Sequence, residues 1–261
     1  MKKTLIVGRN SFIGKSFFHS IKDVDIIDYS DIIFTDFTKY DTVLNCIITP
    51  EMRVEPWKER NNIDLSIGRT AITNDCHYIM MSTRKVYGSN SELKVYDENS
   101  NTNPSDYYSE NKLIVENKLQ DLKGSLTIVR ASNVYGFEYG RNSFMGFCMN
   151  QLKQTNRIVY NVNPRAQRDF ISIKHLCEVL KLVVDIKPQG VYNVSSNHGT
   201  EIGEVAKSLI EGYGQGEFIA DWQGNQNQDQ FILNNNKLCK QLKIEIPIMQ
   251  RKYIKRLGEK L

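Results

Sequence analysis

In the stretch PSDYYSENKLIVE, residues 104–116, Tyr108 and Lys112 stand four apart where a helix is about to begin. On a helix that spacing puts both side chains on one face. An ammonium held beside a phenol stabilises its anion, so the phenol is expected to ionise below its usual pKa near ~10. Such a phenol can exchange a proton with a substrate oxygen. An isolated Tyr–Lys pair is more commonly an exposed ring beside a solvated amine, so the pair acquires meaning only from what surrounds it.

Two further groups of residues bear on it. In MSTRKVYG, residues 81–88, hydroxyls follow directly on an apolar run. If that run is a strand of an open α/β sheet, Thr83 lies at its carboxyl edge, where such folds bind ligands. Thr83 could hydrogen-bond the same substrate oxygen that Tyr108 serves. Ser82 competes for that role, and either hydroxyl could simply cap a turn. Near the start of the chain, Gly8 follows another apolar run and GRNSFIG places Gly14 six residues later. A dinucleotide needs a tight turn there, backbone able to approach its pyrophosphate, and a helix N-terminus aimed at the charge. Ser11 stands where a middle glycine is expected; it is small and can donate to phosphate. The segment Gly8, Asn10, Ser11, Phe12, Ile13 and Gly14 is the candidate cradle. Asp28 lies 20 residues beyond Gly8, where a carboxylate accepts from an adenosine ribose 2′-hydroxyl and repels a 2′-phosphate. It favours NAD(H); Arg9, inside the turn, could pair that phosphate and favour NADP(H).

These residues must be positioned by strands and helices, and the pattern supplies them. Short apolar runs at 4–7, 24–27, 31–36, 42–48, 77–82 and 125–132 alternate with helical segments at 11–22, 59–74 and 106–121. That alternation predicts an α/β, Rossmann-type doubly wound parallel sheet covered on both faces. After Gly136 the texture changes, with helices expected in FMGFCMNQLKQ, KHLCEVLKLVVD and EIGEVAKSLIEGYG and a strand in GVYNVSS. No linker separates two independent units. The expected organisation is a dinucleotide-binding domain at 1–136 plus about 168–190, with a smaller α/β substrate lobe at 137–167 and 191–261. The Gln/Asn-rich QGNQNQDQ, residues 223–230, reads as an exposed loop.

Composition excludes several classes. A net charge of +4 without a dense Lys/Arg block gives nucleic-acid binding no support. No apolar run approaches the ~20 residues that span a bilayer, and MKKTLIVGRN resembles an export signal for only four apolar residues before Gly8. Five scattered cysteines without a C-x-x-C pair point to reduced thiols in a cytoplasmic protein. Four histidines without ligand spacing predict no metal.

Gly8–Gly14, Asp28, STRKVYG, Tyr108-x-x-x-Lys112, RASNVYG (130–136) and RDFISI (168–173) occur in one order. The series resembles the extended short-chain dehydrogenase/reductase family of nucleotide-sugar epimerases, dehydratases and reductases, and it spans nearly the whole chain. The resemblance implies an NAD(H) or NADP(H) cofactor and a nucleotide-diphosphate sugar. It makes Tyr108 the acid/base and Lys112 the holder of the nicotinamide ribose. Thr83 then binds the reacting sugar oxygen, and Tyr107 packs. It places Asp36 and Phe37 beside the adenine, Cys46 and Ile47 in backbone contact after the fourth strand, and Asn61 near the cofactor. Asn133, Asn142 and Arg168 match contacts to the nucleotide diphosphate, and a guanidinium fork suits that geometry. It also implies a homodimer through helices around 58–73 and 106–121, where Leu113, Ile114 and Leu119 are apolar.

The resemblance also narrows the reaction. Family 4,6-dehydratases carry an acid pair directly after the threonine, where this chain has Arg84 and Lys85. Fucose-synthase-like enzymes place a reactive cysteine where Lys85 stands. The expected reaction is therefore reduction of a 4-keto nucleotide sugar with Tyr108 as proton donor. A weakened cradle, with Ser11 and with Pro50 in place of a cofactor-contacting lysine, suits a cofactor that leaves each turnover. A 4-epimerase is the alternative, and a catalytically silent nucleotide-binding member is a further one.

Overall fold

The structure is a computed structural model of the chain, and it describes residues 3–137, 139–224 and 228–261. The first half runs β1 (Lys3–Val7), α1 (Phe12–Phe18), β2 (Val24–Ile27), β3 (Tyr40–Asn45), α2 (Glu51–Val54), α3 (Ile63–Thr73) and β4 (His77–Thr83). It continues with β5 (Lys94–Tyr96), α4 (Tyr107–Gln120), β6 (Leu126–Ala131) and β7 (Asn133–Tyr135). The second half contains α5 (Phe144–Thr155), β8 (Arg157–Tyr160), β9 (Gln167–Ser172), α6 (Ile173–Ile186), β10 (Gly190–Val194), β11 (Gly199–Glu201) and α7 (Ile202–Tyr213). It ends with β12 (Glu217–Ala220), β13 (Phe231–Leu233), α8 (Asn236–Leu242) and α9 (Arg251–Gly258).

The main sheet has the order β10-β6-β4-β3-β1-β2 and every pairing in it is parallel. Its strands read as continuous apolar runs because both faces are covered. One face packs Ile6, Leu44 and Ile79 against Phe17, Leu176, Leu180 and Leu238 from α1, α6 and α8. The other packs Leu5, Val43 and Tyr78 against Leu65, Ile67, Val115 and Leu119 from α3 and α4. The chain leaves β1 in one direction to β2 and returns on the other side to β3, so a crevice opens at the carboxyl ends of β1 and β3.

Two expectations are corrected here. Residues 31–36 form no strand: Tyr29–Phe34 is a 3₁₀ turn in which the Asp31 carboxylate accepts from the Asp28 N–H at 3.2 Å. Ile33 and Phe34 are more than 80% exposed, so their apolar character never reaches the sheet. The sixth strand of the sheet is instead Gly190–Val194, which pairs with β6 and buries Tyr192 and Val194. Together with α8 it belongs to the main sheet's layers, although 191–261 was expected in the substrate lobe. Conversely, Lys94–Tyr96 from the first half joins the lobe's sheet, in the order β11-β9-β13-β5. The two units interleave, and Leu119 is core. Among the described residues no helix is long and apolar enough to cross a membrane.

The seam between the units contains a buried carboxyl. Asp169 on β9 accepts from Ser196 N at 3.0 Å, Ser196 Oγ at 2.9 Å and Leu233 N at 3.2 Å. Burial outweighs these hydrogen bonds and pushes its pKa up to about 7. Below ~4 the group is protonated whether the chain is folded or not. Between ~4 and about 7 the unfolded chain releases a proton that the folded chain keeps, so stability from this group falls as pH rises through that window. Urea midpoints measured from pH 4 to 8 are expected to lose part of this slope in Asp169→Asn. An unchanged slope in that variant would show that Asp169 titrates normally.

Candidate active site

Tyr108 enters the site from the first turn of α4. Asp106 caps this helix, accepting from Ser109 N at 2.8 Å, and Ser109 Oγ lies 3.3 Å from Asp106 N as the reciprocal acceptor. The start of the helix, and with it Tyr108, is thereby fixed. Tyr108, Thr83, Cys46, Ile47, Ile13, Asn133, Asn142 and Arg168 all line one cleft of about 560 Å³ at the carboxyl ends of the main strands. Tyr107 is 45% exposed and lies outside it.

The two hydroxyls at the end of β4 separate by their partners. Ser82 Oγ donates to the buried Glu116 carboxylate, which also holds the Arg130 guanidinium at 2.6–3.2 Å. Arg130 donates in turn to Tyr87 Oη at 3.0 Å, and Tyr87 donates to Asn193 at 2.8 Å. Ser82 is thus absorbed in a network that ties β4, α4, β6 and β10 together. Thr83 Oγ1 accepts from Lys85 N at 3.2 Å and keeps its proton for a ligand.

Lys112 lies beneath the cleft rather than in its wall. Its Nζ donates to Asp64 Oδ2 at 2.5 Å, and both side chains are 1% exposed. Asp64 also accepts from Asn45 Nδ2 and Tyr78 Oη, each at 2.7 Å. Burial alone would lower the Lys112 pKa; the Asp64 carboxylate, with Tyr108 and Glu116 nearby, overcomes this and holds it above the usual lysine value. Lys112 is therefore a fixed ammonium. Asp64 escaped the sequence reading, although an acid sharing a helix face with Gly68 and Ala71 is a signal that could have marked it.

The cations that follow Thr83 are both neutralised. Arg84 forks onto Asp229 at 2.6 and 2.5 Å, and Lys85 meets Asp106 at 2.6 Å. Burial favours the neutral form of Asp106, but Lys85 and Ser109 outweigh it and the pKa is lowered. The carboxylates that meet these two cations, Asp229 and Asp106, are thereby both engaged in ion pairs. Arg168 donates to the carbonyls of Asp229 and Gln228, each at 3.1 Å, and to Tyr160 Oη at 3.3 Å. Residues 228–229 are therefore held between two guanidiniums, an arrangement with no local signature in the sequence.

The cradle fits a dinucleotide. Gly8 has φ +121°, and a Cβ there would press within 3.3 Å of Cys46 and Ile47. Gly14 packs on the Gly8 carbonyl, where a Cβ would sit 2.4 Å away. Ser11 Oγ accepts from Gly14 N at 2.8 Å and retains a proton to donate. Asp28, at the end of β2, is 3.4 Å from Asn10 Nδ2. Arg9 donates to the Ile26 carbonyl at 3.0 Å, on the same rim. The Cys46 thiol is pushed up to about 12 by burial, so it stays neutral. Two of the expected cofactor residues make other contacts. Phe12 lies under the Arg141 guanidinium, 4.6 Å from its ring centroid. Phe37 is buried in the core, leaving Asp36 exposed and bound to Thr38. The side chain of Asn61 lies outside the described residues.

Comparison with known proteins gives this geometry a family. The human dTDP-D-glucose 4,6-dehydratase is 26% identical over 139 residues, 51% of this chain and 39% of that protein. The match therefore spans less than half the length of that curated relative. The fold is similar to that of the UDP-N-acetylglucosamine 4-epimerase of Methanobrevibacter ruminantium M1, solved with UDP-N-acetylmuramic acid. The TM-score there is 0.82 at 18% identity, covering 99% of this chain and 97% of that one. It is also similar to a dTDP-4-dehydrorhamnose reductase of Clostridium acetobutylicum, with TM-score 0.77, 18% identity and 98% of each chain covered. The NAD dependent epimerase/dehydratase family matches residues 18–195, a span that carries Thr83, Tyr108 and Lys112. With two thirds of its residues matched and the parallel sheet and cradle that a dinucleotide requires, this chain belongs to the NAD dependent epimerase/dehydratase family.

Proposed function

We propose that the protein is an NAD(P)-dependent nucleotide-sugar reductase acting on the C4 carbonyl of a 4-keto nucleotide sugar. One observation carries this reading: the hydroxyls of Tyr108 and Thr83 share a single cleft, with the fixed ammonium of Lys112 beneath it. Gly8–Gly14 and Asp28 would hold the nicotinamide cofactor, which would supply the hydride when bound. Thr83 hydrogen-bonds the carbonyl oxygen and orients it. Tyr108 donates its proton to that oxygen as negative charge develops. Lys112, held by Asp64 beneath the cleft, supplies the positive charge that favours the Tyr108 anion. Asn133, Asn142 and Arg168 take the diphosphate. The paired state of Arg84 and Lys85 speaks against dehydration, which needs an acid and a base beside Thr83.

A second reading, 4-epimerisation, is favoured by the open cleft of about 560 Å³, which reaches from Cys46 to Arg168 and leaves room for a sugar ring to turn over. Nicotinamide absorbance separates the two. With a 4-keto nucleotide sugar, stoichiometric consumption of NADH or NADPH is the expected result. Interconversion of C4 epimers without net consumption would assign the epimerase, and neither activity would leave a nucleotide-binding protein.

A further inference from the structure

Five cations line the cleft: Arg53, Arg84, Lys85, Arg141 and Arg168. Arg84, Lys85 and Arg168 meet carboxylates, and Arg141 lies against Phe12. Arg53 differs. Its guanidinium carbon stands 5.4 Å from the centroid of the Tyr108 ring, and among the described residues no carboxylate pairs with it. Its position is built rather than incidental. Buried Asn111, three residues along α4 from Tyr108, donates to the carbonyls of Met52 at 3.0 Å and Glu55 at 2.9 Å. The short helix bearing Arg53 is thus clamped to the helix bearing Tyr108, which brings the exposed Arg53 guanidinium over the Tyr108 ring.

Stacking on a ring uses one face of a guanidinium and leaves its N–H edges available, in the fork that matches a carboxylate. The sugar carbon served by Tyr108 has two ring neighbours, which carry the C3 substituent and, through C5, the C6 group. An unpaired cation beside Tyr108 therefore addresses an anion on one of those neighbours, separate from the diphosphate taken by Arg168. We infer that Arg53 selects nucleotide sugars bearing a carboxylate next to the reacting carbon, either as a C6 uronate or as an acidic ether at C3. This inference rests on the nucleotide-sugar reading given above and goes further by naming the substrate's charge.

Titration calorimetry on the protein saturated with NAD⁺ tests it with matched probes. UDP- and dTDP-glucose are compared with their glucuronates, and UDP-N-acetylglucosamine with UDP-N-acetylmuramic acid. At least one acid is expected to bind about tenfold or more tightly than its neutral counterpart, and which one does so assigns C6 or C3. In Arg53→Met that ratio falls to within about threefold of one, and Arg53→Lys restores part of it. Equal binding of acids and neutral sugars by the wild-type protein overturns the inference and leaves the nucleotide-sugar reading in place. An acid preference that survives Arg53→Met overturns it as well, by assigning the selection elsewhere. If no nucleotide sugar binds, both readings fall.

Discussion

Tyr108→Phe is expected to lower turnover on a keto nucleotide sugar by on the order of 10²-fold or more, with dinucleotide affinity largely kept. The substitution removes one oxygen and little else. The ring remains available to the Arg53 guanidinium, and the N-terminus of α4 is capped by Asp106 and Ser109, which the change does not touch. What disappears is the phenol oxygen proposed as the proton donor, in the cleft that also holds Thr83. Neighbouring Tyr107, exposed and outside the cleft, supplies the control: Tyr107→Phe is expected to alter turnover less than about twofold. Steady-state kcat read beside NADH binding by fluorescence separates the effects. Unchanged turnover in Tyr108→Phe would strip Tyr108 of its role, and a parallel collapse of cofactor binding would point to damage in α4.

Much of this architecture is legible in the chain because parallel strands buried on both faces are unbroken apolar runs, and five of those runs lie in the main sheet. Residues 31–36 mislead because Ile33 and Phe34 carry the apolar signature without burial; the Asp28–Asp31 turn diverts them to the surface. The strand at 190–194 is readable as a strand, but its place beside β6 depends on a pairing 63 residues away, which no local pattern encodes. The site divides in the same way. Thr83, Cys46 and Asn133 end or adjoin strands, and such ends converge in an open parallel sheet, while Tyr108 is brought to them by the start of α4. The partners Asp64, Asp229 and Asn111 come from separate segments, and each becomes visible only when the packing brings it to the residue it holds.

Of those partners, Asp64 has the largest expected effect on stability. Asp64→Ala leaves the Lys112 ammonium buried with no counter-ion, and removing one member of such a pair costs about 3–5 kcal/mol. Domains of this kind are stable by roughly 5–15 kcal/mol, so the urea midpoint should drop steeply. The double variant Asp64→Asn, Lys112→Met should recover most of that loss. It removes both charges, and the asparagine carbonyl still accepts from Asn45 or Tyr78. It should not recover activity, because the cation beneath Tyr108 is gone. The pH response identifies charge as the cause. In the wild-type protein the Lys112 pKa is raised, so its contribution is complete below the unfolded value of ~10.4 and is lost only as pH climbs through the folded one. Without Asp64, burial dominates and depresses that pKa. The variant then gains stability on alkalinisation, from the depressed value up to ~10.4, because its unfolded state binds the extra proton. Unfolding midpoints from pH 6 to 10 should therefore converge between the two proteins. Parallel curves would mean that Asp64 acts through packing, and that its contact with Lys112 has no electrostatic weight.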